Sequence, residues 1–230
     1  MNNTGKWTFE GAIASNFDEH VKSHVPSYGI LHSMVTAYAA WFLESGSAAY
    51  DIGTSLGEVI RNFKAAYPTR SVRYIGIDTS SSMILEAAKR FEREPDVELY
   101  CQDVRDENMT IENACLVTAF LSLMFIPKKD RKAVVEKVYA GLNPGAAFIV
   151  VEKVRGTGAQ INEIYNEIYH DMKHGAGVSE VDIFHKAQSI RGVLRPYTIK
   201  ENIELLEAAG FREVGTFFQV GNFAGFIAIK

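Results

Sequence analysis

Three aspartates carry the chemistry that can be read first. Asp51, Asp78 and Asp103 each close a short apolar run, in AAYDI, VRYIGID and VELYCQD, and the first two lead directly into a turn and a helix-like pattern. After Asp51 the chain reads G-T-S-L-G, with Gly53 suited to a tight reversal and Gly57 to a helix starting close to a ligand. Phosphate cradles of the dinucleotide type require G-x-G-x-x-G, and only two glycines are present here. A carboxylate just before the turn would also repel a diphosphate. It suits a ligand with a cationic amino-acid end.

Asp78 can accept hydrogen bonds from both hydroxyls of a ribose. Asp103 can accept from the exocyclic amine of adenine, with Val104 packed on the ring. Each residue has a plainer explanation: DxGxxxG is also a tight strand-to-helix turn, Asp78 is a possible helix cap, and Asp103 a turn aspartate. All three fall on the carboxyl edge of one sheet, where ligands bind in open α/β folds. A methionine-like tail, a ribose and an adenine without phosphate describe S-adenosyl-L-methionine.

The elements that must position these residues follow from hydrophobic periodicity. Apolar strands joined by helices imply a parallel sheet buried on both faces, a doubly wound α/β fold. The two last strands, REVGTFFQV and GFIAIK, are joined by a short turn and read as an antiparallel hairpin. In YGILHSMVTAYAAWFL, the residues Ile30, Leu31, Met34, Val35, Tyr38, Trp41 and Phe42 fall at helical spacing. Asp130 is placed to cap RKAVVEKVYAGL, and Thr198 with Glu201 forms a capping box for TIKENIELLEAAGF. The expected organisation is a single domain over 1–230, with an N-terminal helical lid segment at 1–46 and a helical insertion at 154–192 shaping the substrate pocket.

The chain has 230 residues, 47% of them hydrophobic, and a formal charge of −4. That length suits one large core. Mixed charge without a basic face argues for a small-molecule substrate rather than nucleic acid. The absence of a long apolar run or a signal-like start implies a cytoplasmic protein without a membrane span. Cys101 and Cys115 have no ligand-like spacing and read as reduced core residues. His170 and His174 stand i, i+4 in YHDMKH, but no HExxH pattern accompanies them, so no metal is expected. His170 is the candidate general base, against the alternative of a helix-surface histidine. Tyr165, Tyr169 and Tyr197 are candidates to line the acceptor pocket, and one of His20, His24 and His32 a lid residue.

The chain also resembles class I S-adenosylmethionine-dependent methyltransferases, and more narrowly the bacterial carboxy-S-adenosylmethionine synthase family. The similarity runs through KWTF, VPSY, YDIGTSLG, IGIDTSSSMI, DVRD with IENA, GLNPGAAFIVVEK, HDMK with SEVDI, AAGF and FFQVGNFAGFIAIK. It implies a seven-stranded sheet with the last strand inserted antiparallel, a homodimer, and cofactor contacts at Tyr28, Gly53, Ser55, Asp78, Thr79, Asp103 and Val104. Asp51, Gly57, Met83 and Phe120 complete the expected cofactor set.

Two positions depart from that family. The arginine that the family is thought to use for the carboxylate of its product and donor is replaced by Ala187, and an asparagine near the cofactor is replaced by Phe120. Losing a guanidinium removes about 1.5–3 kcal/mol of charged hydrogen bonding. Carboxylate-bearing ligands should then bind poorly unless Arg191 or Arg195 takes over. With His170, Arg195 and Tyr197 as the catalytic candidates, the first reading is methyl transfer to a small molecule. The second is carboxy-S-adenosylmethionine synthesis from prephenate with a relocated arginine, and the third a non-catalytic S-adenosylmethionine-binding module.

Overall fold

The computed structural model describes the backbone of residues 17–230 and the side chains from Val21 onward. The KWTF motif, the start of the lid segment and the side chain of His20 lie outside the described residues. Two helices lead in, α1 (Phe17–His24) and α2 (Tyr28–Phe42). The alternating part follows as β1 (Ala48–Ile52), α3 (Glu58–Ala66), β2 (Arg73–Asp78), α4 (Ser81–Arg90), β3 (Val97–Cys101) and β4 (Ala114–Phe120). Next come α5 (Lys128–Gly141) and β5 (Leu142–Lys153). The chain ends with α6 (Ala159–Gly175), α7 (Glu180–Ser189), α8 (Ile199–Ala208), β6 (Glu213–Val220) and β7 (Phe223–Ile229).

The strands form one seven-stranded sheet in the order β3-β2-β1-β4-β5-β7-β6. Strands β1 to β5 run parallel, and β7 lies antiparallel between β5 and β6. The period-2 alternation of a strand sends its side chains to opposite faces. In β5, Phe148 and Val150 join a core with Val134, Val135 and Val138 of α5 and Leu206 of α8. Ile149 and Val151 join the opposite core, with Leu31 and Val35 of α2 and Ile60 and Phe63 of α3. Both faces are therefore covered. Full burial of a side chain such as Phe148 stabilises by roughly 1.5–3 kcal/mol.

Three local expectations are corrected. Helix α5 starts at Lys128 directly after Pro127, so Asp130 lies in the first turn and bonds Arg105 at 3.2 Å instead of capping. Helix α2 buries a narrower stripe than its apolar residues suggest: Leu31, His32, Val35 and Ala39 are buried, while Ile30 and Trp41 are exposed. Cys115 is buried in the central strand β4, but Cys101 ends the edge strand β3 and is exposed. The segment between β5 and α8 forms two helices, α6 and α7. Among the described residues no helix is long and apolar enough to cross a membrane.

Candidate functional site

The carboxyl ends of β1 to β5 open on one cavity of about 380 Å³, over which α1, α6 and α7 fold. Ten of the eleven residues expected to hold the cofactor line it, Gly57 being the exception. Register explains their convergence. Asp51 pairs with Gly76 in β2 and with Thr118 in β4, so Asp78 and Phe120 each stand two residues further toward the carboxyl edge.

Asp51 is 2% exposed and accepts a 2.7 Å hydrogen bond from Thr118 Oγ1. Burial pushes its carboxyl up to about 6, the Thr118 hydroxyl pulls it back, and the nearby Asp78 charge adds to the rise. A buried carboxylate in this state favours a cation beside it. The turn after it is built from left-handed residues, Gly53 at φ 75° and Ser55 at φ 51°. A Cβ on Gly53 would run into the Ser122 side chain, so only glycine lets β1 close against the loop after β4. Gly57 serves packing instead of ligand approach. Its φ is 77°, and a side chain there would strike the Phe91 ring.

Asp78 is braced from both sides. The Ser55 N–H donates to Oδ2 at 2.9 Å and the Ser80 N–H to Oδ1 at 2.9 Å, tying the β1 and β2 turns together. Ser80 itself caps α4, accepting from the Met83 N–H, which relieves Asp78 of that duty. Ionised carboxylate oxygens have two acceptor positions each. Asp103 sits on the wall with Val104, but Arg105 donates to both of its oxygens. Those bonds hold its carboxyl below the usual range. Tyr28, His32 and Phe120 form an aromatic wall, with the His32 and Phe120 rings stacked at 4.2 Å and Tyr28 edge-on to Phe120 at 5.7 Å.

The other half of the cavity is basic, which sequence reasoning missed. Lys153 at the end of β5, Lys173 in α6 and Lys186 in α7 all line it, together with Tyr169, His170 and Ala187. The Lys153 and Lys173 ammonium groups each lie 4.2 Å from the Tyr169 ring centroid. Burial, with the Lys173 charge added, lowers Lys153 to about 8 and Lys186 to about 7. Burial also lowers Lys173 itself. Tyr169 donates from its hydroxyl to the His24 carbonyl at 2.7 Å, tying α6 to the end of α1.

Of the catalytic candidates, only His170 reaches the cavity. Burial, then the Lys173 charge, lower its pKa below 6.5. Arg195 and Tyr197 do not line it. Arg195 donates to the Gly192 carbonyl and gives its own carbonyl to Arg131, while the Tyr197 ring carries the Lys128 and Arg131 cations at 4.6 and 4.5 Å. Arg191 is exposed and also stands outside. Tyr165 likewise lies off the cavity and accepts from Gln219 Nε2. Among the described residues no group of three or more His, Cys, Asp or Glu could hold a metal.

A sheet of this order, with three carboxylates on successive strand ends facing one cavity, defines the class I methyltransferase fold. A family profile described as a methyltransferase domain matches residues 49–145. The carboxy-S-adenosyl-L-methionine synthase of Staphylococcus epidermidis is 41% identical over 229 residues, 99% of each chain. That of Shewanella oneidensis is 33% identical over 96% of this chain and 92% of its own. The chain belongs to the carboxy-S-adenosyl-L-methionine synthase family, and is an S-adenosylmethionine-dependent enzyme.

Solved structures agree on the fold. Human N-acetylserotonin methyltransferase in complex with S-adenosylmethionine aligns with a TM-score of 0.63 at 14% identity, covering 99% of this chain and 63% of that one. This chain thus spans less than two thirds of the human protein. An S-adenosylmethionine-dependent methyltransferase from Aquifex aeolicus aligns with a TM-score of 0.60 at 16% identity, covering 94% and 97%.

Proposed function

We propose that the chain transfers the methyl group of S-adenosylmethionine to a small molecule bound in the basic half of the cavity. The observation that carries this reading is the division of one cavity into an acidic half at Asp51, Asp78 and Asp103 and a second half whose wall has Ala187 in place of the family's arginine. Bound S-adenosylmethionine supplies an electrophilic methyl carbon on a sulfonium, so that an acceptor lone pair forms the new bond as the carbon–sulfur bond breaks toward sulfur. Asp51 holds the cationic amino-acid end, and Asp78 accepts from the ribose hydroxyls. Val104 packs on the adenine, with the Tyr28 and Phe120 rings closing the wall beside it. His170, largely neutral near pH 7 because of its lowered pKa, accepts the acceptor's proton. The remaining work is alignment.

Carboxy-S-adenosylmethionine synthesis is the second reading, and the three lysines favour it, because they put positive charge beside Ala187 without Arg191 or Arg195. Mass spectrometry of the adenosyl compound after incubation with S-adenosylmethionine, with and without prephenate, separates the readings. S-adenosylhomocysteine formed with an added acceptor supports methyl transfer, and a product heavier by a carboxyl group overturns it. Unchanged S-adenosylmethionine with every acceptor tried leaves a binding module.

The same reading has the enzyme act in the cytoplasm as a homodimer and without nucleic acid. Ile161, Ile164 and Ile168 stand exposed along α6, an apolar stripe that a second copy would cover. Light scattering of the purified chain tests the dimer.

A further inference from the structure

At the end of the cavity where β3 finishes, the acceptor expected for adenine is engaged by one of the protein's own side chains. Asp103 and Val104 line the cavity there, and Arg105, next in the chain, lines it too. The Arg105 guanidinium turns back on Asp103, with Nε donating at 3.0 Å to each oxygen and Nη2 to Oδ2 at 2.6 Å. The Arg105 backbone N–H adds a 2.9 Å bond to Oδ1. An ionised carboxylate offers two acceptor positions on each oxygen. These four contacts fill them, so an arriving amine meets an acceptor already taken.

A second carboxylate stands ready for the same guanidinium. Arg105 Nη1 donates to Asp130 at 3.2 Å, and Asp130, in the first turn of α5, lies outside the cavity. The backbone around Arg105 is pinned, because Lys137 of α5 donates from Nζ to the Val104 carbonyl at 2.9 Å and to the Asp106 carbonyl at 2.6 Å. A change of partner therefore needs rotation of one side chain and no movement of the loop. Arg105, Asp103 and Asp130 are 43%, 35% and 29% exposed, and ion pairs at such exposure are weak enough to exchange at small cost.

We propose that Arg105 competes with the 6-amino group of the cofactor's adenine for Asp103 and transfers to Asp130 when adenine binds, as a positioning residue for the cofactor. It rests on the reading above, in which adenine packs on Val104. In the free protein the Arg105 bonds hold the Asp103 carboxyl below its usual range, so an anionic acceptor is in place before the ligand arrives. The amine then replaces the guanidinium donors on that acceptor, and Asp130 receives the guanidinium that it displaces. A purine with hydrogen at position 6 offers no such donor and leaves Arg105 where it is. Selection at that position thus depends on a partner exchange as well as on Asp103 itself.

The test is calorimetric titration with S-adenosylmethionine, and its displacement by adenosine and by purine riboside, which lacks the 6-amino group. Arg105→Ala leaves Asp103 open to the amine and should strengthen binding of S-adenosylmethionine and adenosine about two- to fivefold, the equivalent of one partly exposed ion pair. Purine riboside should bind the variant and wild type alike. Asp130→Asn removes the alternative partner and should weaken adenosine binding about twofold. That effect should vanish in the Arg105→Ala background, since the two side chains act as one unit. A side chain that only braced the loop would give the opposite sign. Weaker or unchanged adenosine binding in Arg105→Ala, an equal gain for purine riboside, or an Asp130→Asn effect that persists without Arg105 overturns the exchange. Asp103→Ala in the Arg105→Ala background should abolish the preference for adenosine over purine riboside. A preference that survives there places adenine away from Asp103 and overturns the underlying reading instead.

Discussion

Thr118 donates a 2.7 Å hydrogen bond from Oγ1 to Asp51 Oδ1, between residues that face each other in the register of β4 and β1. The pair sets the charge of the acidic half. Burial raises Asp51 from 3.8 to about 6, so in the free protein the carboxyl is protonated over a pH range where the unfolded chain has already ionised it. The folded state then binds more protons between about pH 4 and 6, and this group's contribution to stability falls as pH rises through that window. Cofactor affinity runs the opposite way, because the ionised form pairs with the cationic end. Affinity for S-adenosylmethionine should rise with pH up to about 6 and level off above. Titrations at several pH values check this, and Asp51→Asn should lower the plateau and flatten the profile.

Asp78 joins two turns and also serves the ligand, so its replacement acts twice. Asp78→Ala removes the acceptor for the Ser55 and Ser80 N–H groups and the ribose contact together. Charged hydrogen bonds contribute about 1.5–3 kcal/mol each, so S-adenosylmethionine affinity should drop on the order of a hundredfold or more. Asp78→Asn keeps one acceptor oxygen and should fall between. Unchanged calorimetric affinity in Asp78→Ala would mean the ribose lies elsewhere.

The acidic half was legible because its signals are local. Asp51, Asp78 and Asp103 follow apolar runs whose strand character fixes where a carboxylate must emerge, and Gly53 follows at once. Lys153, Lys173 and Lys186 carry no such mark: each reads as an ordinary solvated lysine until α6 and α7 fold over β5. Arg195 was assigned to the site from nearness along the chain to Ala187, and Tyr197 as an aromatic with a polar tip suited to the acceptor pocket. Arg131 explains why they are absent from it. Its guanidinium, 1% exposed, bonds the Met124, Ile126 and Arg195 carbonyls and stacks on Tyr197, so it holds that segment against the loop after β4. Such a clamp spans 64 residues of sequence and has no local pattern.

Gly57 distinguishes a packing glycine from a ligand glycine. Gly57→Ala meets both a left-handed backbone at φ 77° and the Phe91 ring. Strain of this kind costs about 1–3 kcal/mol, with overpacking in addition. Urea denaturation should show the loss. Adding Phe91→Leu should restore only part of it, since space returns but the backbone strain stays. Cofactor affinity of the folded fraction should change little.

Tyr169 has two separable functions, and substitution can divide them. Its hydroxyl holds the His24 carbonyl at 2.7 Å and so fastens α1 to α6 across the cavity mouth, whereas its ring carries the two lysines. Tyr169→Phe removes only the fastening. A fully buried carbonyl that loses its donor costs about 1–3 kcal/mol, and this half-buried one, within reach of water, costs less. Because α1 supplies Val21 and His24 to the cavity wall and Val25 follows it there, its release should speed cofactor dissociation several-fold, with a smaller effect on association. Tyr169→Leu removes the ring as well and should weaken binding of anionic ligands in addition. Stopped-flow dissociation of S-adenosylmethionine reads the first effect and calorimetry with malonate the second. Equal dissociation rates for wild type and Tyr169→Phe would show that α1 is held shut by its apolar contacts alone.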